Sequence, residues 1–142
     1  MSTYVSLHYH IIFSTKERRR IIADPWREDL HAYLGGISKN MDAIPEAVGG
    51  TGDHVHLLLG LKATHTLSEV ERQIKRGSSE WIHGHGIRFF AWQEGYGAFT
   101  VSPSQTDKVR KYITNQNEHH RRRTFEDEYR ELLQLSGLNF ML

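Results

Sequence analysis

Gly52-Asp53-His54-Val55-His56-Leu57-Leu58-Leu59-Gly60 is the stretch on which the reading of this chain turns. A largely apolar run bounded by glycines predicts a short buried strand, and the two-residue side-chain period of a strand points His54 and His56 to one face. Two imidazoles side by side can present two nitrogens to one divalent cation, so a metal site is conceivable once a third ligand is found. The competing reading is ordinary packing, since the chain has 10 histidines and a His-x-His pair alone is a weak motif.

Upstream, Gly49-Gly50-Thr51-Gly52 reads as a tight turn, and Ala43 to Val48 as the strand that forms a hairpin with the histidine strand; Pro45 suits an edge position or a bulge. Tyr4 to Ser14 alternates as a further strand, with Val5, Leu7, Tyr9, Ile11 and Phe13 on one face and Ser6, His8, His10 and Ile12 on the other. Asp24-Pro25 predicts an N-cap followed by the first residue of a helix, along which Trp26, Leu30, Tyr33, Leu34 and Ile37 recur at helical spacing.

Downstream, Thr66-Leu67-Ser68-Glu69 fits a capping box that opens a second helix, running to His83. Ile87 to Ser102 holds the last strand, and its Phe89, Phe90, Trp92, Tyr96 and Phe99 are either core or platforms for stacking unpaired bases. Ser104 to Glu118 is helical: Val109 and Ile113 give it an apolar face, and Tyr112 and Gln116, four residues apart, present a hydroxyl and an amide oxygen together. Thr124 is the expected cap of a final helix, with Tyr129, Leu132 and Leu133 as its buried stripe and Gly137 as its stop.

Composition narrows the function classes. The 142 residues contain no internal repeat or linker and are expected to form one domain, 1–142. Without cysteine there is no zinc ribbon, thiol catalysis or disulfide framework. No apolar run approaches the ~20 residues that span a bilayer, and Met1-Ser2-Thr3-Tyr4 lacks the regions of a signal peptide, so a cytoplasmic protein is expected. The net charge is only +1, but cations cluster at Lys16, Arg18 and Arg19, at Lys75 and Arg76, and at Arg121, Arg122 and Arg123. Such clusters are either contacts for nucleic-acid phosphates or solvated charge.

The histidine strand, the segment Tyr112-Ile113-Thr114-Asn115-Gln116 and the stretch Gly95-Tyr96-Gly97-Ala98-Phe99 together resemble the single-tyrosine HUH transposases. These are small enzymes of bacterial insertion sequences that move as single-stranded DNA, with relatives associated with repeated palindromes. Phe13-Ser14-Thr15-Lys16 and the tail Glu118-His119-His120-Arg121 with Phe125 and Glu128 extend the resemblance nearly end to end. One departure is Thr51-Gly52, where many relatives carry Met-Pro; it is expected to touch the turn and not the chemical groups.

The resemblance implies an α+β fold, a ferredoxin-like or RRM-like antiparallel sheet with helices on one face, and a homodimer in which Tyr112 can serve the histidines of the partner. It implies His54, His56 and Gln116 as ligands of Mg2+ or Mn2+, and Tyr112 as the nucleophile that leaves a 5′-phosphotyrosine. The expected partner is single-stranded DNA with a hairpin, held at its phosphates by the basic clusters. A histidine-triad hydrolase would need a third histidine where Leu58 stands. The other alternative is a non-catalytic regulator that binds hairpin DNA.

Several residues keep two readings. His8 and His10 line the site or are ordinary sheet histidines, and His119 and His120, one turn beyond Gln116, reach the site or do not. Tyr129 is a rival nucleophile or core, and Asp53 orients a histidine or shapes the turn.

Overall fold

The run after Asp53 is a strand, β3 (His54–Leu61), and every residue of it is buried. The computed structural model describes residues 2–120 and 123–138, the side chain of His119 excepted. Burial on both faces follows from the position of β3 in an antiparallel sheet ordered β2-β3-β1-β4, where β1 is Leu7–Ser14, β2 is Ile44–Gly50 and β4 is Gly97–Thr100. β1 and β3 pair with Ser14 opposite His54, Ile12 opposite His56 and His10 opposite Leu58, so the even-numbered residues of both strands share a face. Pro45 lies on the edge strand β2, beside a register shift between Pro45 and Ala47 that the missing N–H invites.

The odd-numbered face, with Ile11, Phe13, Val55, Leu57 and Leu59, packs against α1 (Asp24–Asn40) and α2 (Leu67–Gly84), which contribute Leu30, Leu34, Val70, Ile74 and Ile82. The order β1-α1-β2-β3-α2-β4 is the ferredoxin-like arrangement, an α+β fold as expected. Helices lie on both faces and not on one. The even-numbered face carries Leu58 and Ala47, which bury Ile113 of α3 (Thr106–Thr114) in a second small core worth roughly 1.5–3 kcal/mol for that side chain. The short α4 (Gln116–His119) and α5 (Phe125–Leu135) follow.

Of the three cap signals, one holds and two do not. Asp24 is the first helical residue and not the cap; its carboxylate lies 2.8 Å from Arg27 Nη2. The Thr66 hydroxyl makes no capping bond, and Glu69 instead accepts from Arg72 at 2.8 Å and Gln73 at 3.0 Å. Thr124 does cap, accepting from the Asp127 N–H at 3.2 Å. The expected helix over 104–118 is broken: α3 stops at Thr114 and Asn115 leaves helical geometry before Gln116 opens α4. On α5 the buried residues are Phe125 and Glu128, whereas Tyr129, Leu132 and Leu133 are half-buried. Among the described residues no helix is long and apolar enough to cross a membrane.

Candidate active site

Two close contacts set α3 over the histidines. Gly49 of β2 pairs with His56, and a Cβ on Gly49 would run into the Ile113 carbonyl, so only a residue without a side chain lets α3 lie this near the sheet. At the helix break, Gln116 Nε2 donates to the Tyr112 carbonyl at 3.3 Å, which turns Oε1 toward His54 Nε2 at 3.0 Å.

Hydrogen-bond accounting then gives each nitrogen a role. His54 Nδ1 lies 2.7 Å from Asp53 Oδ1; a carboxylate only accepts, so Nδ1 donates and the neutral ring offers a lone pair at Nε2. That lone pair faces two acceptors, Gln116 Oε1 at 3.0 Å and Glu128 Oε1 at 3.6 Å. His56 Nδ1 shares a proton with His10 Nε2 at 2.8 Å, and His56 Nε2 lies 3.1 Å from Glu128 Oε1. His120 donates from Nδ1 to the Arg123 carbonyl at 2.8 Å, while its Nε2 is 3.0 Å from Gln116 Oε1 and 3.2 Å from Glu128 Oε1. Lone pairs of three imidazoles, an amide and a carboxylate thus converge on one buried spot.

Such a convergence needs either protons or a cation. The ligand atoms of His54, His56, His120 and Glu128 all lie within 4.8 Å of one another, close to twice the ~2.0–2.6 Å of common metal–ligand bonds. The donor set of nitrogens and oxygens fits a divalent cation.

Protonation is arranged to match. Burial pushes His56 down to about 4, against partial support from Glu128, and burial with the neighbouring His56 pushes His10 down to about 3. Both rings are therefore neutral at pH 7, as metal ligation requires. Burial alone would raise Glu128, but hydrogen bonds from His120 and His56, the electrostatic influence of His56 and the hydrogen bond from Tyr112 outweigh it and hold the carboxyl below its ordinary range. His120 is moved the other way: burial lowers it, and the Glu128 carboxylate more than compensates. Burial and the Glu128 charge raise the Tyr112 phenol, which keeps its proton and donates it to Glu128 Oε2.

Of the residues singled out from sequence, His54, His56, Gln116 and Tyr112 come together, and His120 joins them. His10 stands behind His56, and Asp53 holds His54. The Thr51 departure does reach the chemistry, because its hydroxyl donates to Asp53 Oδ1 at 3.1 Å and lies 3.2 Å from His54 Nδ1. Tyr129 stacks on Phe125 at 5.5 Å and covers Gly97, so its ring is a packing element. Glu128 enters the sequence reading only through the family resemblance. The signal available was its helical phase with Phe125, Tyr129 and Leu132, which places a carboxylate in the stripe that faces the sheet.

The basic residues are differently placed. Lys16 is exposed; Arg18 meets Glu126 at 3.2 Å, Arg19 meets Glu17 at 3.2 Å and Arg76 meets Glu80 at 3.5 Å, all on the surface. The Lys75 ammonium instead donates to the carbonyls of Gln93 at 2.8 Å and Gly95 at 2.7 Å, which ties a loop to α2. Arg123 pairs with Glu131 on α5, whereas Arg121 and Arg122 lie outside the described residues. Among the aromatics, Phe90 is core and Trp92 packs edge-on against Phe13 at 4.7 Å, whereas Phe89 is exposed. A cleft of about 260 Å3 lined by Ser14, Gln93, Tyr96, Phe125 and Tyr129 lies next to the histidines, since Phe125 stacks on His54 at 4.2 Å.

Comparison with known proteins agrees with this geometry. The profile of the family described as "Transposase IS200 like" matches residues 3–116. A candidate transposase of Deinococcus radiodurans R1, solved at 1.90 Å, superposes with a TM-score of 0.68 at 25% identity, covering 82% of this chain and 95% of its own. The REP-associated tyrosine transposase bound to a REP hairpin superposes with a TM-score of 0.59 at 17% identity, covering 80% of this chain and 70% of its own. No curated protein matches the chain.

Proposed function

This chain belongs to the IS200-like transposase family, and from that premise we propose that it cuts and rejoins single-stranded DNA at element-end hairpins through a 5′-phosphotyrosine on Tyr112. His54, His56 and Gln116 are read as ligands of Mn2+ or Mg2+. The observation that carries the reading is the convergence of acceptor atoms on one buried spot beside a phenol, as a metal-assisted nucleophile requires.

When bound, the cation supplies Lewis acidity toward a phosphate oxygen. Tyr112 Oη forms the new bond to phosphorus, and the O3′ of the preceding nucleotide leaves and takes up a proton as a free 3′-hydroxyl. The phenol proton already points at Glu128 Oε2. A phenol with an ordinary pKa near ~10 is a far better leaving group than an aliphatic alcohol, so a 3′-hydroxyl can reverse the step and join strands. Asp53 and His10 hold the two histidine rings in the tautomers that face the site.

The hairpin partner is carried over from the relative solved with one, and the working unit is read as a homodimer. Lys16, Arg18, Arg19 and Arg76, with Arg121, Arg122 and Arg123, are read as phosphate contacts, and Lys75 as a brace for the loop beside them. The test is incubation of the protein with labelled single-stranded DNA carrying a hairpin and an unpaired flank, with Mn2+ or with chelator, on a denaturing gel. The reading expects a metal-dependent band shifted by one protein mass and lost in Tyr112→Phe. Tight hairpin binding with no adduct under either condition would favour a regulator that binds hairpins without cutting.

A further inference from the structure

We propose that Glu128 is a ligand of the metal and, through its second oxygen, the acceptor that holds Tyr112, so that α5 completes the catalytic centre. The family profile ends at residue 116, and α5 lies wholly beyond it. The inference rests on the metal-assisted reading above and adds a residue and an element to it.

Geometry carries the argument. Glu128 is buried, and its two oxygens face different functions: Oε1 lies 3.1 Å from His56 Nε2, 3.2 Å from His120 Nε2 and 3.6 Å from His54 Nε2, while Oε2 accepts from the Tyr112 hydroxyl. A single carboxylate therefore joins the nucleophile to the cluster of Nε2 atoms. Its position is built in: Thr124 caps α5, Phe125 stacks on the His54 ring, and Glu128 follows one turn later on the same face. Tyr129 presses that turn against Gly97, where a Cβ would approach the Tyr129 ring to within 2.6 Å.

Charge carries the rest. Neutral His54, His56 and Gln116 would leave both charges of a buried divalent cation uncompensated, which is costly in a low-dielectric site. Among the described residues, Glu128 is the one carboxylate with an oxygen among the clustered ligand atoms. It supplies the missing negative charge and the hard oxygen that Mn2+ and Mg2+ prefer. One carboxylate can also leave coordination positions open for phosphate oxygens.

The experiment is Mn2+ titration of the whole protein without DNA, by calorimetry and by loss of the free-ion electron paramagnetic resonance signal. It compares wild type, His56→Ala, Tyr112→Phe, Glu128→Ala and the isosteric Glu128→Gln, with circular dichroism to check folding. The proposal expects Glu128→Ala to weaken Mn2+ binding by ~10–100-fold, the span seen when groups supporting a metal are lost. Glu128→Gln weakens it less but in the same direction, and Tyr112→Phe, which removes only the hydrogen bond to the second oxygen, weakens it less than Glu128→Ala, separating the ligand role from the contact with the phenol. Wild-type affinity in folded Glu128→Gln and Glu128→Ala, with binding abolished in His56→Ala, would overturn the role of Glu128 and leave the metal reading intact. Wild-type affinity in His56→Ala as well, or no binding by any form, would overturn the metal reading itself.

Discussion

At His56 burial disfavours the proton, which leaves the ring nitrogen free for the cation proposed above. The folded chain holds His56 at about 4 and His10 at about 3, both below the ordinary 6.5, so between roughly pH 6.5 and pH 4 the unfolded chain binds more protons. Stability of the metal-free protein is therefore expected to fall as pH drops through that window. Asp53 and Glu128, held low by their histidine partners, add to the loss at still lower pH, and His120, shifted up, opposes it. Urea midpoints at pH 7 and pH 4.5 measure this, and His10→Gln is expected to flatten the difference; a midpoint that rises toward acid would contradict it. Asp53→Ala removes the acceptor that fixes the His54 tautomer and is expected to weaken Mn2+ binding by ~10–100-fold in calorimetry. At this scale the sequence was informative where chemistry is local. The strand period alone put His54 and His56 on one face, and the spacing of Tyr112 and Gln116 brought hydroxyl and amide together. Glu128 was only faintly legible: its helical phase put it in the buried stripe, but a carboxylate on an amphipathic helix normally faces water, and here it pairs with a histidine 72 positions away.

Elements were legible in proportion to how much of their definition is local. The alternation of β1, the glycine-bounded β3 and the Thr124 cap could all be read from neighbouring residues. The break at Asn115 could not: it is set by α3 lying on the sheet at Ile113 and by Gln116 turning to reach His54. The capping box at Thr66 failed for a similar reason, since Glu69 has partners in Arg72 and Gln73 that compete for its oxygens. The tight seat of α3 gives an element-scale prediction. Gly49→Ala places a methyl group against the Ile113 carbonyl. It is expected to cost about 1–3 kcal/mol of stability, as overpacking does, and to lower adduct yield by moving Tyr112 off its position. Chemical denaturation and a gel assay on the same preparation check it; wild-type values in both would mean that the close contact does not position α3.

For the whole molecule, the ferredoxin-like order follows from which strands pair. A single sequence could suggest it only through family resemblance, because pairing is a matter of contacts remote along the chain. The resemblance also implied cover on one face, whereas α3 and α5 close the second face and make the site out of it. One chain holds Tyr112 within ring-contact distance of its own His56, with centroids 5.8 Å apart. Mixing inactive Tyr112→Phe and His56→Ala proteins is therefore expected to recover no cleavage, and recovered cleavage would show that subunits exchange their tyrosine helices. The most direct measurement of the central claim is mass spectrometry on the trapped DNA adduct after nuclease and trypsin. Cleavage after Lys111 and Arg121 releases Tyr112 in one peptide, and cleavage after Arg123 and Arg130 releases Tyr129 in another. The account expects a 5′-linked nucleotide mass on Tyr112 alone, formed with Mn2+ and absent with chelator; a nucleotide on Tyr129, or an adduct indifferent to metal, would contradict it.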